Sequence, residues 1–497
     1  MNRCRLIALL SLSGALGACS VGPDYSLPET AVIKRPAAQV PFDLRGNRQV
    51  AQAQLPDRWW ALYQDPVVDD LVREALANNR DIRVAYYNLR RAYEGFQMAH
   101  HAQEVEFGGA GSVARGQLSS EALALEEKIP VMNLGNLGLA VDYQLDLFGK
   151  LQRAAESAGA TADARAAALD AARISVVGLV VQGYLTACHA GEERHIAERS
   201  LDIQRRQLDV VERLNRGGRG NDVDVARARA QVATLQAELP PFDSARSAAL
   251  YQIAALLGRT PGDLPHGVEA CQHAPQPDAP IPVGDGAALL KRRPDIRAAE
   301  RELAAATADI GVATAMLYPQ ISLGASAGYT GMFEHLGDPI TRRWAFGPSI
   351  DWHIPTQVDR ARIRAMQAGA DAALAHFDSV VLNALRETQT LLARYAEDLK
   401  RNRALRDARD AASLAADHTR RLYQLGRLAY LDSLDTERTL ATAEAALAAS
   451  EAQLSKDQVE LFLALGGGWQ TTTAVSPAAS ATASFMRQSK GGPGAGT

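Results

Sequence analysis

Four short segments of the chain alternate apolar side chains with small or polar ones. They span residues 105–113, 137–147, 321–330 and 344–354, with aromatic residues near the ends of the apolar face. A period of two indicates β-strands, and about ten residues cross a bilayer when the strand is tilted. A soluble sheet with one solvated face has the same pattern, but four strands among so much helix disfavour it. We therefore predict four strands with lipid on one face and water on the other.

Two long proline-free stretches follow the second strand of each pair. Residues 151–216 and 360–425 are rich in alanine, leucine, arginine, glutamate and glutamine. As helices they would each be about 100 Å long, far beyond the usual helix of about 11 residues. Leucines recur every seven residues at 440, 447, 454 and 461. A second set steps by three and four through Leu382, Leu385, Gln389, Leu392, Ala396 and Leu399. Both patterns predict coiled-coil packing.

Shorter helices complete each half of the chain. Return helices are predicted at 223–257 and 431–465, and further helices at 65–101 and 287–317, ahead of the first strand of each half. Two short helices stacked end to end would match one long helix in length. Pro240 and Pro241 should break or kink the first return helix, because proline lacks an N–H and clashes with the preceding turn.

The two halves resemble each other at a nearly constant offset. "RLNRGGRGNDVDVARA" at 213 matches "RLYQLGRLAYLDSLDT" at 421, an offset of 208 residues. Similar offsets relate "GLAVDY" to "GPSIDW" and "NRDIRVA" to "RPDIRAA". We infer a duplication, with repeats at 59–258 and 287–469 and a proline- and glycine-rich linker at 259–286. A tail of small residues at 470–497 is expected to be disordered.

The N-terminus has the pattern of a secretory signal peptide over residues 1–18. Arg3 and Arg5 precede a short apolar run that ends in small residues, too short to span a bilayer. The sequence before Cys19 resembles a lipobox, which implies that Cys19 is lipidated and begins an extended segment at 19–58. Ser20 in place of aspartate resembles lipoproteins sent to the outer membrane. No later run of apolar residues is long enough for a membrane helix.

Cysteine and charge narrow the possible functions. Cys4 lies in the predicted signal peptide and Cys19 is the predicted lipidation site, so Cys188 and Cys271 remain. These two could pair in an oxidising periplasm, but we expect Cys188 to be a buried free thiol. The chain has 53 basic and 57 acidic residues, with no basic block suited to nucleic acid. The sequence contains no HExxH, Walker or GxSxG motif. It therefore predicts neither an enzyme nor a cofactor or metal site.

Four strands cannot close a barrel in lipid, where open sheet edges are not tolerated. Two chains would give a barrel filled by side chains, whereas three chains would give 12 strands and a lumen. The strands continue into long helices. The pattern therefore predicts an α+β membrane protein, a homotrimer whose transmembrane β-barrel continues into a periplasmic coiled-coil barrel.

At this point the chain resembles a known family, the TolC/OprM-like outer-membrane factors, and their NodT-type lipoprotein branch. The resemblance lies in "CSVGPDYSLPE" at 19, "YQLDLFGKLQRA" at 143, "RPDIRAAE" at 293 and "LALGGGW" at 463. It implies a trimeric exit duct of a tripartite efflux pump in the outer membrane and its lipid. Its implied partners are a periplasmic membrane-fusion adaptor protein and an inner-membrane transporter.

The resemblance also implies functional residues at the two helix–turn–helix tips. The second tip matches the family pattern at Tyr423, Gly426, Leu431, Leu434 and Asp435, although Gln424 stands where a basic residue usually follows, with Arg427 three residues on. We expect a gate in which Leu431 narrows the pore, Asp435 forms an acidic ring and Tyr423 holds the closed packing. The alternative is an ordinary coiled-coil core with solvated charges. The residues expected to contact the adaptor are Arg216, Gly218, Asp222 and Gly426.

Asp142 and Asp351 occupy corresponding places on the polar face of the strands. They either tune the charge of the lumen or form ordinary solvated lining. The expected function is passive export of small toxic compounds or drugs, gated at the periplasmic tips. Export of another passenger such as a polypeptide, and a non-conducting structural lipoprotein, remain the alternatives.

Overall fold

The computed structural model describes residues 20–42, 49–53, 55–117, 119–121, 124, 126–265, 267–277, 280–284 and 286–467. The predicted signal peptide, Cys19 and the tail at 470–497 lie outside these residues. The chain divides into two compact units. The first comprises the described part of Met1–Gln39 with Arg83–Ala171 and Arg293–Leu385; the second comprises Val40–Ile82, Ala172–Arg292 and the described part of Arg386–Thr497.

The four predicted strands form one antiparallel sheet. The strands are β2 (Glu106–Gly116), β3 (Met132–Leu145), β5 (Gln320–Met332) and β6 (Arg342–Asp351), in the order β2-β3-β5-β6. Two two-residue strands, β1 (Val50–Ala51) and β4 (Ile281–Pro282), pair in parallel apart from it. The alternation predicted from sequence is confirmed, because cross-strand partners such as Leu139 and Ala327 carry the apolar set on one face.

Helices make up most of the remainder. Their bounds are α1 (Pro66–Asn78), α2 (Arg80–His101), α3 (Lys150–Arg216), α4 (Asp222–Ala237), α5 (Leu239–Leu256), α6 (Gly286–Arg292), α7 (Pro294–Ala315), α8 (Gln357–Gln424) and α9 (Tyr430–Ala464). The two long helices, α3 and α8, begin and end within three residues of the prediction. Within the ranges given above, no helix is both long and apolar enough to pass through a lipid bilayer.

Three predicted helices are interrupted. The first return helix ends at Ala237 and restarts at Leu239, which Pro240 and Pro241 follow directly. Proline at the start of a helix costs no hydrogen bond. The helix predicted at 65–101 breaks at Asn79, whose side-chain oxygen accepts hydrogen bonds from the next turn at Asp81 N and Ile82 N. The helix predicted at 287–317 breaks at Arg293, because Pro294 follows it.

The leucine repeat of α9 forms a buried seam as predicted. Leu440, Leu447, Leu454 and Leu461 are all buried. On α8 the predicted seam is buried only in part: Leu392 and Ala396 are buried, whereas Leu382 is 55% exposed. The buried positions there step by three and four through Val381, Ala384, Thr388, Leu391 and Tyr395. Adjacent apolar residues offer two stripes, and only the packed neighbours select one.

Cys188 and Cys271 form a disulfide with an S–S distance of 1.98 Å, so the expectation that Cys188 is a free thiol is wrong. The 83-residue separation hides the pair in the sequence. Gly191 lies one turn after Cys188, and a Cβ atom on it would be 3.2 Å from the carbonyl oxygen of Cys271. The linker thus approaches the backbone of α3 closely enough for the two sulfurs to meet.

Candidate functional site at the helical tips

Two helical hairpins carry the predicted tip residues. We call residues 204–237 the first hairpin and the equivalent residues 412–445, offset by 208, the second hairpin. In the first, α3 ends through Gly218, whose φ is +69°. Gly218 N donates to Asn215 O at 3.0 Å, and Arg219 N donates to Leu214 O at 2.9 Å. This pair of bonds is the Schellman closure, in which a left-handed residue satisfies the last carbonyl groups of a helix.

The second hairpin closes in the same way at the equivalent residues. Gly426 has a φ of +70°. Gly426 N donates to Tyr423 O, and Arg427 N donates to Leu422 O, both at 2.9 Å. Gly218 and Gly426 therefore have a backbone role, because L-residues with a side chain rarely adopt this conformation. Their predicted part in adaptor contact stays a prediction.

The two hairpins differ at the start of their second helices. Asn221 caps α4, since its side-chain oxygen accepts a hydrogen bond from Asp224 N at 2.8 Å. The equivalent residue, Ala429, has no side chain that can cap α9. Asn215 Nδ2 adds a bond to Asp222 Oδ1 at 2.9 Å across the first turn. The first turn is therefore held by side chains that the second one lacks.

A small apolar core joins the two hairpins. Its buried members are Val211, Val225, Ala228 and Leu434, and Leu208 and Tyr423 pack against it. A buried hydrogen bond from Gln207 Nε2 to Ser433 Oγ, 3.1 Å long, lies beside this core. Burial, and secondarily the nearby Asp224 carboxylate, raises the pKa of Tyr423. The Tyr423 side chain thus lies between hairpins, where a change in their packing would move it.

Each hairpin also contains an ion pair between its two helices. Arg229 Nη2 on α4 lies 2.8 Å from Glu212 Oε1 on α3. In the second hairpin Arg420 Nη2 on α8 lies 2.6 Å from Glu437 Oε1 on α9. The offset of 208 places Arg420 on Glu212 and Glu437 on Arg229, so the two pairs occupy equivalent positions with reversed polarity.

The ion pairs differ in burial. The Glu437 side chain is only 8% exposed and that of Arg420 29%, whereas Arg229 is 66% exposed. Burial raises the pKa of Glu437, and the adjacent Arg420 partly opposes that rise. Arg420 Nη1 also bonds Asp417 Oδ1 at 2.9 Å. In the second pair, the buried Glu437 carboxylate therefore depends on Arg420 for its compensating charge.

The remaining predicted gate residues lie outside this core. Leu431 is 47% exposed and Asp435, one turn later on α9, is also exposed. Both therefore present side chains on one exposed face of the helix. Arg216, Asp222 and Arg427 are exposed as well. Leu434, the buried neighbour of Asp435, packs between the hairpins.

Sequence reasoning missed the paired charges. The offset between the repeats could have revealed them. It aligns Glu212 with Arg420 and Arg229 with Glu437, so the acidic and basic residues exchange positions between the two hairpins. In both hairpins the two charges are 17 residues apart. A charge pair that inverts between repeats while its spacing stays fixed predicts a contact across the turn.

The polar face of the sheet carries a second set of predicted residues. Asp142 pairs in register with Glu106 on β2 and Gly324 on β5. Asp351 on β6 pairs in register with Gln320 on β5, at the same end of the sheet. Glu106 lies on the polar period of β2 but was not among the predicted lumen residues. This end of the polar face, where the strands adjoin the helices, is thus acidic.

The opposite end of the polar face is basic. Arg343 Nη2 donates to Asn136 Oδ1 at 3.0 Å, and Arg343 Nε donates to Thr330 Oγ1 at 2.8 Å. A Cβ atom on Gly138 would be 2.8 Å from Arg343 Nη2. The absence of a side chain at Gly138 lets the guanidinium lie flat across three strands.

The segment after Cys19 is fixed beside the sheet. Val21 N donates to Phe148 O at 3.2 Å. Arg153 Nη2 on α3 lies 2.5 Å from the Asp24 carboxylate, and a Cβ atom on Gly149 would be 2.8 Å from the Cα of Ser20. The chain therefore passes the junction of β3 and α3 immediately after the predicted lipid-bearing residue.

Among the described residues, no three histidine, cysteine, aspartate or glutamate side chains are grouped so as to hold a metal ion. The polar groups of the two hairpins form ion pairs, caps and side-chain hydrogen bonds between helices. They offer charge and packing at the tips rather than a nucleophile held by a base.

Comparisons with known proteins agree with this architecture. A family model described as outer membrane efflux protein matches residues 71–259 and 287–467. Nodulation protein T of Rhizobium leguminosarum bv. viciae is 29% identical over 488 residues, which cover 97% of each chain. The probable efflux pump outer membrane protein TtgC of Pseudomonas putida KT2440 is 30% identical over 482 residues, covering 94% of this chain and 96% of TtgC.

A solved structure of the outer-membrane channel OprN superposes with a TM-score of 0.84 at 34% identity, covering 91% of this chain and 100% of that one. The predicted family and the predicted location in the outer membrane are thereby confirmed. TtgC is named as a probable efflux pump protein and OprN as a channel. The chain belongs to the outer membrane efflux protein family.

Proposed function

We propose that three copies of this chain form a closed duct that passively conducts small toxic compounds out of the cell. The supporting observation is the sheet itself. β2 and β6 are its two edges, and each has hydrogen-bonding groups on one side without a neighbouring strand. In lipid such edges must pair, and three sheets joined edge to edge give 12 strands, enough to surround a lumen.

The exposed apolar face supports placing this sheet in lipid. Phe107, Leu139, Trp344 and Phe346 share that face, and each is more than two-thirds exposed. A soluble surface rarely exposes so many large apolar groups together. The polar face, lined by glycine, serine and alanine, would then meet water.

The proposed gate lies at the tips. Leu431 and Asp435, exposed on one face of α9, would form apolar and acidic rings when three chains meet. Tyr423 and Leu434 would transmit a change in hairpin packing to that face, because both lie in the core between hairpins. Arg216, Gly218, Asp222 and Gly426 would present the turns to a periplasmic adaptor, which in turn joins an inner-membrane transporter.

The relatives indicate only the chemical class of the transported compounds, not their identity. TtgC is named as a probable efflux pump component, which favours small compounds over an exported polypeptide. In such an assembly the inner-membrane transporter would select the compound, and this chain would supply the exit. A non-conducting structural lipoprotein is the competing function, and conductance separates the two.

The decisive test uses purified protein in planar lipid bilayers. We expect trimers by native mass spectrometry and a low basal conductance. Leu431→Ala and Asp435→Ala should raise the open probability, because they widen and neutralise the proposed rings. Leu414→Ala is the matched control, since Leu414 is also an exposed leucine (62%) of the second hairpin but lies on α8, twelve residues before the turn at Gly426.

Trimers without ion conductance in any of these variants would reject the duct. Conducting trimers in which the two tip variants behave like wild type and like Leu414→Ala would reject the gate and leave the duct. Cys19→Ala with a cleavable signal should still yield trimers at lower efficiency, because the sheet inserts by its own apolar face. Complete loss of inserted trimers would contradict that expectation.

A further inference from the structure

Two arginines interrupt the apolar face of the sheet, and both lie at its loop end. Arg115 is the penultimate residue of β2, and Arg342 is the first residue of β6. Both side chains are exposed. They occupy the two edge strands of the sheet.

The strand register assigns both arginines to the apolar face. Arg342 is two residues before Trp344, so the two side chains project from the same side. Its cross-strand partner, Tyr329, belongs to the apolar set of β5. Arg115 is likewise two residues after Val113, which is 66% exposed on that face. Arg343, the next residue after Arg342, projects to the opposite face.

Arg342 lies beside the apolar Tyr329, whereas the in-register partner of Arg115 is Asn133, whose Nδ2 donates to Glu334 Oε1 at 3.0 Å. No ion pair joins either guanidinium to a carboxylate in the part of the chain that the structure describes. Phe333, half exposed, packs over Gly135 on this same face, where a Cβ atom would be 3.3 Å from its ring. Within the described residues, neither arginine is thus held in a salt bridge, and exposed aromatic groups lie on the same face.

The other end of the same face has a different composition. At the helix end the apolar positions are Val105, Phe107, Leu145, Ile350 and Trp352, with no arginine or lysine. A charge on a lipid-facing strand costs several kcal/mol at the bilayer centre and little at the interface. Because the arginines occur only at the loop end, we place that end at the interface between lipid and water. Anionic headgroups at that interface would favour the two positive charges.

We propose that Arg115 and Arg342 bind the phosphate groups of phosphorylated lipids in the leaflet that surrounds the loops. This inference rests on the proposed placement of the sheet in the membrane. Guanidinium groups match phosphate geometry through paired N–H donors. The stems of both side chains lie along the apolar face, and their charged heads reach toward the headgroups. Tyr329, Trp344 and Phe333 supply the adjoining apolar contact for the acyl chains.

The test compares lipids with and without phosphate on purified trimers. Native mass spectrometry would measure the binding of bisphosphorylated lipid A and of the same glycolipid after its phosphates are removed. Each arginine near an anionic surface strengthens binding by about fivefold, so Arg115→Gln with Arg342→Gln should weaken lipid A binding by roughly 25-fold. Binding of the dephosphorylated lipid should change by less than about twofold.

Arg343→Gln is the matched control, because it removes the same charge from the neighbouring residue on the polar face. It should leave lipid A binding unchanged and alter the conductance instead. The proposal is overturned if the double variant retains lipid A binding, if wild type does not discriminate between the two lipids, or if Arg343→Gln loses as much binding. Ion conductance measured on the same trimers tests the proposed duct separately from the lipid site. Trimers that conduct but bind both lipids equally would reject only the lipid site. Trimers that bind lipid A through the arginines but never conduct would reject only the duct.

Discussion

The two hairpins have the same backbone and different side-chain support. Both close through a glycine near φ +70° with the same pair of hydrogen bonds. The first has an asparagine cap and an exposed ion pair; the second has an alanine in place of the cap and a largely buried ion pair. Duplication thus retained the turn, whose geometry few residues satisfy, and let the surrounding contacts diverge.

The reversed ion pair shows which property of that contact was retained. Glu212–Arg229 and Arg420–Glu437 place opposite charges at equivalent positions, and either order satisfies the contact. Burial, in contrast, changed: water screens the first pair, whereas the second pair is shielded. The same chemical contact should therefore contribute very different free energies in the two hairpins.

The largest expected effect is that of Arg420→Met. It leaves the Glu437 carboxylate buried without its partner, so we expect the free energy of local opening of the second hairpin to fall by about 2–3 kcal/mol. Hydrogen–deuterium exchange at the start of α9 should accelerate roughly a hundredfold. Arg229→Met, the equivalent change in the first hairpin, should cost less than about 1 kcal/mol. Equal acceleration in the two hairpins would contradict the assigned difference in burial.

The next effect is that of the N-cap. Asn221→Ala removes the acceptor for Asp224 N and should lower the local stability of the first hairpin by about 1 kcal/mol. Ala429→Asn should stabilise the second hairpin by a similar amount, since it introduces the missing cap. Exchange of the first-turn amides of α4 and α9 measures both changes. If Ala429→Asn gave no added protection, the two turns would differ in more than this side chain.

The pH dependence should also separate the hairpins. Burial raises the pKa of Glu437 in the folded state above its unfolded value. A raised carboxyl pKa favours the protonated form, so the local free energy of unfolding should fall as the pH rises through the folded pKa. Exchange rates of the second hairpin, corrected for intrinsic chemistry between pH 4.5 and 7.5, should show this fall in wild type. Glu437→Gln should abolish it, and a dependence that persists in that variant would assign it to another group.

The smallest effect concerns the layer next to the ion pairs. Thr419 and Thr436 share a hydrogen bond of 2.6 Å in the second hairpin, where the first has Val211 and Ala228. Thr419→Val combined with Thr436→Ala exchanges both partners for apolar groups, which is often nearly neutral. We expect a change within about 0.5 kcal/mol. A larger loss by exchange or thermal unfolding would show that the threonine pair contributes specifically.

Much of this fold could be predicted because its signals are local and long. Alternation over about ten residues identified the strands, and stretches free of proline identified α3 and α8 within three residues. The interruptions followed from proline at Pro240 and Pro294, although only the first was anticipated. At Asn79 the side-chain oxygen accepts hydrogen bonds from backbone N–H groups that would otherwise bond within the helix. The helical spacing of apolar residues continues through this position, so the pattern does not reveal the break.

The tip residues were predicted unevenly. Gly218 and Gly426 are readable because a glycine after a helix implies a left-handed closure. The division between core and surface at 431–435 was not readable, since Leu431 and Leu434 have the same chemistry and only one is buried. The start of the α8 seam was predicted wrongly for the same reason, with Leu382 exposed and Val381 buried, whereas Leu392 and Ala396 are buried as predicted.

The sequence by itself determined the duplication, the element lengths and the apolar and polar faces of each strand. These properties depend on covalent order and on residues within a few turns of each other. The tertiary structure decided the Cys188–Cys271 disulfide, the buried Arg420–Glu437 pair and the stripe of α8 that packs inward. Each of these depends on which distant side chains share a dry interior, and burial changes the energy of a charge or a leucine far more than its identity does.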